Sequence, residues 1–462
     1  MRRASTVIDA SANATTMTKG ETSSDGRNAA ESGDAVSKPD ARVLLDFLFS
    51  LGQAYLAGGE QTAQVELTLR RVASAYGMRR TSVVAFPTAI LIRMSDGATQ
   101  HVDLAPGPGR GLRLDQIAHV YTLGAAAQRG EVVPELGLQR LNAIMREPAR
   151  FGFVGSILGH TILTVGVAMI LVPAFESLLY AALLGALIGA VKLVKGGQPV
   201  FAVPLPVIAA AIVSGVVFSA VRYGYGVEPL HVLVPPLVTF LPGVMLTMGM
   251  VELAYGDMVS GSSRLITGFV QLVLLAFGLA AGAMVVGMRS DFGSDVVPLV
   301  DPIPWVPWLG VVVFGLGVSI HFSAPRRSLP WMLLVMLAAF AAQQMATRTF
   351  GSETSGFWGA LVATPLAYLV QMRFGGPPAM VTFLPSFWVL VPGALGLLSV
   401  KRMLTDRAAG IDGLVTVVFV IASIALGTLM GAALYKWVTE TFGAWQFRLG
   451  RADRPRRGES KQ

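Results

Sequence analysis

The sequence predicts a polytopic α-helical membrane protein: ten transmembrane helices arranged as a 5+5 inverted repeat, preceded by a small cytosolic α/β domain. Three observations predict it. The composition is 53% hydrophobic and 14% charged, whereas a soluble globular chain carries roughly 25% charged residues. The apolar residues are clustered, and from Phe153 onward they form repeated runs of about 20 residues, the length that carries a helix across the hydrocarbon core. Two of these runs share a break. Pro235 precedes Pro242-Gly243 by the same interval that separates Pro385 from Pro392-Gly393, in "PPLVTFLPG" and "PSFWVLVPG".

Residues 1–40 are rich in Ser, Thr, Ala, Gly and Asp and nearly lack large apolar side chains, so they are expected to form a disordered tail. Residues 41–150 read as a small cytosolic α/β domain. "ARVLLDFLFSLGQAYLAG" has helical spacing and ends at Gly58-Gly59, a helix stop. "EQTAQVELTLRRVASAYGM" restarts a helix with Val65, Leu69 and Val72 on one face. "TSVVAFPTAILIRM" reads as a strand in which Pro87 marks a bulge or an edge. An Asp-Gly turn returns the chain as "TQHVDL". Two more helices follow, from Asp115 to Arg129 and from Pro134 to Arg146, with proline at the favoured first position of the second.

Ten apolar cores come next, at 153–172, 176–194, 201–221, 230–250, 265–287, 305–322, 329–347, 357–373, 379–400 and 413–436. They divide into a first five-helix half at 151–289 and a second at 305–439. The dividing loop at 290–304 is acidic and is predicted to be extracytoplasmic. A half with five crossings inverts the next one, which is the geometry of inverted-repeat transporters. The short loops balance in Lys and Arg on the two sides. Orientation therefore falls to Arg140, Arg146 and Arg150 before the first span and to the basic tail 440–462. Both are placed in the cytosol by the positive-inside rule.

The net charge of +8 fits basic cytosolic ends of a membrane protein, and no nucleic-acid partner is expected. The chain contains no cysteine, which excludes disulfides, thiolate metal sites and Cys nucleophiles. The histidines, His101, His119, His160, His231 and His321, show no metal-ligand spacing. No metal and no cofactor are expected.

Chemistry is expected first at the broken spans. Proline removes a backbone donor and glycine permits unwound backbone, and freed backbone groups in a membrane helix bind ions or zwitterions. Pro242, Gly243 and Thr239 in the first half, with Pro385, Pro392 and Gly393 in the second, are the candidate substrate path. Glu252 and Asp257 follow among apolar residues. A carboxylate at the membrane centre costs about 2.5–3.5 kcal/mol, so both are proton-coupling candidates, with Arg264 as a charge partner if they lie at the interface instead. Ser260, Gly261 and their serine neighbours in "SGSSRL" read as a helix N-terminus, with serine as its cap. Lys192 and Lys195 read as snorkelling to the interface, and His160 and His321 as packed or interfacial residues. The 41–150 segment shows no nucleophile elbow, phosphate loop or metal motif.

Four blocks carry a resemblance. They are "FLFSLGQAYLAGGEQTAQVELTLRRVASAYGM", "VVAFPTAILIRM", "LPGVMLTMGMVELAYGDMVSGSSRL" and "FLPSFWVLVPGALGLLSV". Together they resemble the bacterial threonine/serine exporter family in its fused two-half form, over about residues 41 to 440. The resemblance implies a multi-pass protein of the bacterial cytoplasmic membrane that exports L-threonine and L-serine on the proton gradient, with both termini cytosolic. It also implies a hydrolytic activity suggested for the amino-terminal domain, which the residues do not support. Split-chain relatives resemble dicarboxylate exporters. The readings carried forward are amino-acid export, export of a succinate-like dicarboxylate, a membrane-tethered hydrolase with its site in 41–150, and a receptor-like scaffold. The partners expected are a small-molecule amino-acid substrate, protons and the lipid bilayer, with homo-oligomerisation open. After Pro392-Gly393 the second half carries Lys401 and Arg402 in place of carboxylates, so the halves differ chemically.

Overall fold

A computed structural model describes residues 40–95, 100–109, 111–171, 175–194, 203–225, 229–287, 303–390 and 407–452. Residues 1–39 of the tail predicted at 1–40, the Asp-Gly turn, most of the acidic loop, Lys195, Pro392-Gly393, Lys401-Arg402 and the end of the basic tail lie outside the described residues.

The amino-terminal unit begins with α1 (Ala41–Ala57) and α2 (Thr62–Ala75). Its sheet is a three-stranded antiparallel meander of β1 (Arg80–Phe86), β2 (Ala89–Ser95) and β3 (Gln100–Pro106). The single strand expected across Pro87 is in fact a hairpin, with Phe86 paired to Ala89 around a Pro87-Thr88 loop. Proline has no N–H to give to a ladder and its fixed φ suits a turn, so it divides the apolar run. Helices α3 (Leu114–Gln128) and α4 (Pro134–Arg146) complete the unit. Leu44, Phe47, Leu48, Leu51, Leu69, Ile90 and Ile92 are fully buried at its centre.

The apolar helices are α5 (Gly152–Leu171), α6 (Phe175–Val194), α7 (Pro204–Arg222), the short α8 (Pro229–Leu233), a 3-10 turn (Pro235–Phe240), α9 (Gly243–Ala254) and α10 (Met258–Val285). After the acidic loop come α11 (Val306–His321), a second 3-10 turn (Arg326–Ser328), α12 (Leu329–Phe350), α13 (Ser352–Arg373), α14 (Ala379–Leu390) and α15 (Arg407–Ala452). Among the described residues, the stretches Gly152–Leu171, Pro204–Arg222, Met258–Val285, Arg326–Phe350 and Asp412–Glu440 are long and apolar enough to cross a membrane. Several apolar helices are shorter. The chain is a multi-pass membrane protein. The fourth predicted core is divided into α8, the 3-10 turn and α9, and the fifth starts at Met258 rather than at 265.

Glycines set how the long helices cross. In α5 and α11, Gly159 faces the backbone of His321, Gly166 that of Phe314, and Gly317 that of Leu163. Advancing along α5 means retreating along α11, so the two run antiparallel. In α10, Gly278 and Gly282 meet the carbonyls of Val207 and Ala211 of α7, so these run parallel. In α15, Gly427 and Gly431 meet the backbone of α13 at Phe357 and Leu361 in the same sense. A side chain at such a crossing has no room. Gly282→Val should therefore push α7 and α10 apart and cost about 1–3 kcal/mol by overpacking. A lowered melting midpoint of the detergent-purified protein checks this.

The amino-terminal unit and the apolar helices share one core. Leu114, Ile117 and Ala118 of α3 are buried in the same cluster as Leu163, Phe314 and Met380. The Leu114 N–H donates to the Phe322 carbonyl at the end of α11 (3.0 Å).

Candidate functional site

The broken fourth segment forms one wall of a polar chamber. The 3-10 turn ends at Phe240, Leu241 is extended, and Pro242 caps α9. The side-chain amide of Gln271 on α10 donates to the Phe240 carbonyl that the break leaves over (2.8 Å). One residue earlier, Thr239 Oγ1 lies 2.9 Å from Lys192 Nζ of α6 and 3.2 Å from His160 Nε2 of α5. Lys192 Nζ is also 3.1 Å from His321 Nε2 of α11, and it stands over the Phe240 ring, 5.2 Å from its centroid.

Carbonyls assign the tautomers. His160 Nδ1 is 2.9 Å from the Gly185 oxygen, and His321 Nδ1 is 2.9 Å from the Ser156 oxygen. A carbonyl only accepts, so each Nδ1 carries the proton and each Nε2 of a neutral ring is an acceptor. The chain then runs from Lys192 to Thr239, from the Thr239 hydroxyl to His160, and from Lys192 to His321. The two rings stand edge to face with centroids 5.2 Å apart. Lys192, Thr239, Gln271 and His321 line an open cavity of about 1000 Å³, and its other wall carries Arg113, Arg146 and Glu147 of the amino-terminal unit. Lys192 therefore turns inward to this cluster. The break of the fourth span offers its ammonium a hydroxyl, and α11 offers an imidazole.

Glu252 forms a clamp between the two parts of the chain. It is 1% exposed. Its Oε2 lies 3.0 Å from Arg264 Nε, an ion pair held by proximity rather than by a well-directed hydrogen bond. Its Oε1 accepts from the Thr62 N–H (3.1 Å) and lies 3.3 Å from the Thr62 hydroxyl. Thr62 opens α2, and the preceding Gln61 makes no side-chain cap. A carboxylate from another helix thus satisfies the donors at the α2 N-terminus. Arg264 Nη2 also donates to the Glu60 carbonyl (2.9 Å).

The remaining sequence-derived residues are dispersed. Pro242 and Gly243 are buried behind the chamber wall, with Pro242 packed against Gly268. Asp257 is half-buried in the turn before α10, at its N-cap position but without a side-chain cap bond. Ser260 is already inside α10 and is buried, so the expected serine cap is absent. The helix starts at Met258, and Gly261 within it crosses α9 at Gly249. Pro385 is buried inside α14. Among the described residues, no group of three or more His, Asp or Glu could hold a metal ion.

A second chamber, of about 630 Å³, lies where α1, α2 and α3 meet α9, α13, α14 and α15. Glu60 reaches into it. Its position follows from the end of α1, where Gly59 has φ +87°, its N–H bonds back to Leu56 O (3.0 Å), and the Glu60 N–H bonds to Tyr55 O (3.1 Å). These paired bonds with a left-handed glycine are a Schellman ending. Nothing in the spacing around Glu60 distinguishes it from a surface carboxylate.

Apolar helices, one of them broken beside a polar chamber, define a multi-pass membrane protein. The model of the ThrE family, described as "Putative threonine/serine exporter", matches residues 46–286. The chain belongs to this family. It is 22% identical over 421 residues to the threonine/serine exporter of Corynebacterium glutamicum, covering 84% of this chain and 81% of that protein. It is 24% identical over 448 residues to a protein of Mycobacterium tuberculosis named "Probable threonine/serine exporter", covering 92% and 82%. It also matches fungal proteins named "Pheromone-regulated membrane protein 10". The Candida glabrata protein is 26% identical over 162 residues, 34% of this chain and 20% of that protein. The chain spans less than half the length of these fungal relatives, from 16% to 42%. No solved structure matches it.

Proposed function

We propose that the protein is a secondary exporter of small hydroxy amino acids, L-threonine and L-serine, across a bacterial cytoplasmic membrane, driven by the proton gradient. The observation that carries this reading is the convergence of Lys192, Thr239 and His321 on one chamber at the broken fourth segment. An ammonium beside a hydroxyl suits the carboxylate of an amino acid. The family membership supports the substrate class.

The helix directions support an inverted repeat. Parallel α7 and α10 require an odd number of crossings between them, which makes Pro229–Ala254 a crossing despite its break. Antiparallel α5 and α11 require an even number between them, and a half of five crossings supplies four. The parallel pairs α7/α10 and α13/α15 then occupy equivalent places in the two halves. Pro385 with Pro392-Gly393 is the second-half counterpart of the path.

Coupling is assigned to the imidazole and ammonium groups of His160, Lys192 and His321: Thr239 joins His160 to Lys192, and Lys192 reaches His321 directly. Glu252 is committed to Arg264 and Thr62, and Asp257 stands apart from the chamber. The test uses proteoliposomes loaded with labelled threonine, serine or succinate under an imposed pH gradient. Gradient-accelerated efflux of threonine and serine is the expected result. Efflux of succinate alone overturns the amino-acid reading, and rates indifferent to the gradient overturn the coupling.

A further inference from the structure

The second chamber has its own chemistry. Two of its walls come from the amino-terminal unit, through Glu60, Tyr55 and Tyr121, and the opposite walls include Tyr368 of α13 and Tyr435 of α15. The Tyr121 hydroxyl donates to Glu60 Oε2, and the Gln61 N–H donates to Glu60 Oε1 (3.1 Å). Each carboxylate oxygen keeps a further lone pair. The Tyr55 ring meets the Tyr121 ring edge-on with centroids 4.9 Å apart. Across the chamber, Tyr368 and Tyr435 stack at 5.3 Å.

A carboxylate amid tyrosine rings is a cation site by two independent effects. The charge attracts the cation directly, and the ring faces add cation–π attraction. The chamber's basic lining residues, Arg71 and Lys436, are exposed, and Lys436 pairs with Glu440 (3.9 Å), whereas Glu60 lies inside beside Tyr121. Burial pushes the Glu60 carboxyl above its ordinary range. Burial first, and then the Glu60 charge, hold the Tyr55 hydroxyl up. Tyr121 is likewise raised by burial and by Glu60, so both hydroxyls stay protonated as donors. A bound cation would relieve the cost of ionising Glu60 in this position. The chamber is also built for the rings: a Cβ on Gly124 would collide with the Tyr55 hydroxyl.

We propose that this chamber binds a primary ammonium group, that of a small amino acid, between Glu60 and the faces of the tyrosines, so that the amino-terminal unit contributes directly to substrate recognition. The amino-acid identity rests on the exporter reading, whereas the ammonium site rests on the chamber itself.

The experiment measures binding by titration calorimetry to the full-length protein in nanodiscs. The probes are L-threonine, L-threoninol, which has the ammonium but no carboxylate, and N-acetyl-L-threonine, which has the carboxylate but no ammonium. Wild type should bind threoninol, and N-acetylthreonine should bind at least about tenfold more weakly than threonine, since a charged partner is lost. Glu60→Gln keeps the shape and should weaken threoninol by about tenfold or more. Tyr368→Phe should retain threoninol affinity and Tyr368→Leu should reduce it, because the ring face is what acts. Unchanged threoninol affinity in Glu60→Gln overturns the proposal, as does a wild type that does not bind threoninol. Binding of threoninol by a protein that exports no amino acid supports the chamber and removes the exporter reading. Export of threonine by a Glu60→Gln protein with unaltered threoninol affinity does the reverse.

Discussion

Arg264→Met should release the amino-terminal unit from the apolar helices. The substitution keeps an unbranched apolar stem and removes the guanidinium. Glu252 would then be left 1% exposed with no countercharge. Breaking a buried pair in this way costs about 3–5 kcal/mol, because the remaining charge is uncompensated. The loss falls on a defined place. Glu252 supplies the acceptor for the α2 N-terminus, and Arg264 holds the Glu60 carbonyl. Amide exchange should therefore accelerate first at Glu60–Val65, and protease should cut the Gly58–Gln61 loop. Exchange at the centre of the unit, around Phe47 and Ile90, should change much less.

The double variant Glu252→Gln/Arg264→Met decides whether the pair is the cause. A neutral amide still accepts from the Thr62 N–H, so the double variant should be less disturbed than Arg264→Met alone, as a coupled pair requires. Equal exchange rates in the two variants would remove the clamp reading. The same proteins bear on proton coupling. Glu252→Gln alone should leave gradient-driven efflux in place if Glu252 docks the unit, and should abolish it if Glu252 carries the proton.

The apolar framework is legible in the sequence because membrane helices are specified by composition over about 20 residues, which needs no tertiary information. The break at Pro242-Gly243 is legible for a similar reason, since proline acts on its own backbone. The Glu252–Arg264 partnership was within reach of local reasoning too, because the two lie on consecutive helices. The polar cluster was not. His160, Lys192, Thr239 and His321 come from four separate segments, and each taken alone has an ordinary explanation. Only the antiparallel crossing of α5 and α11 brings His321 beside His160. Glu60 was hidden for another reason: its direction depends on the left-handed turn at Gly59 and its surroundings on residues 308 and 375 positions further along, Tyr368 and Tyr435. The serine cap failed because its residues were read as the start of the apolar run, whereas the helix begins earlier, at Met258, and already carries Gly261 where it crosses α9 at Gly249.

Lys192→Met is expected to have the largest effect on transport itself. The substitution removes the ammonium and keeps an unbranched stem. If Lys192 receives the substrate carboxylate, the loss of one charge-assisted hydrogen bond, worth about 1.5–3 kcal/mol, lowers kcat/KM for export by roughly ten- to hundredfold. Lys192→Arg restores the charge but not the point-like geometry that serves Thr239 and His321 at once, so it should recover part of the rate. A purely structural role predicts something different, namely equal losses for every ligand. The carboxylate-free threoninol separates the two readings: its binding should be nearly indifferent to Lys192→Met, while that of threonine falls. A parallel fall for both would leave Lys192 as a strut of the four-segment cluster rather than a substrate ligand. Thr239→Val provides a second arm. It keeps the shape of the side chain and removes the hydroxyl that joins Lys192 to His160, so it should uncouple efflux from the pH gradient more than it weakens threonine binding.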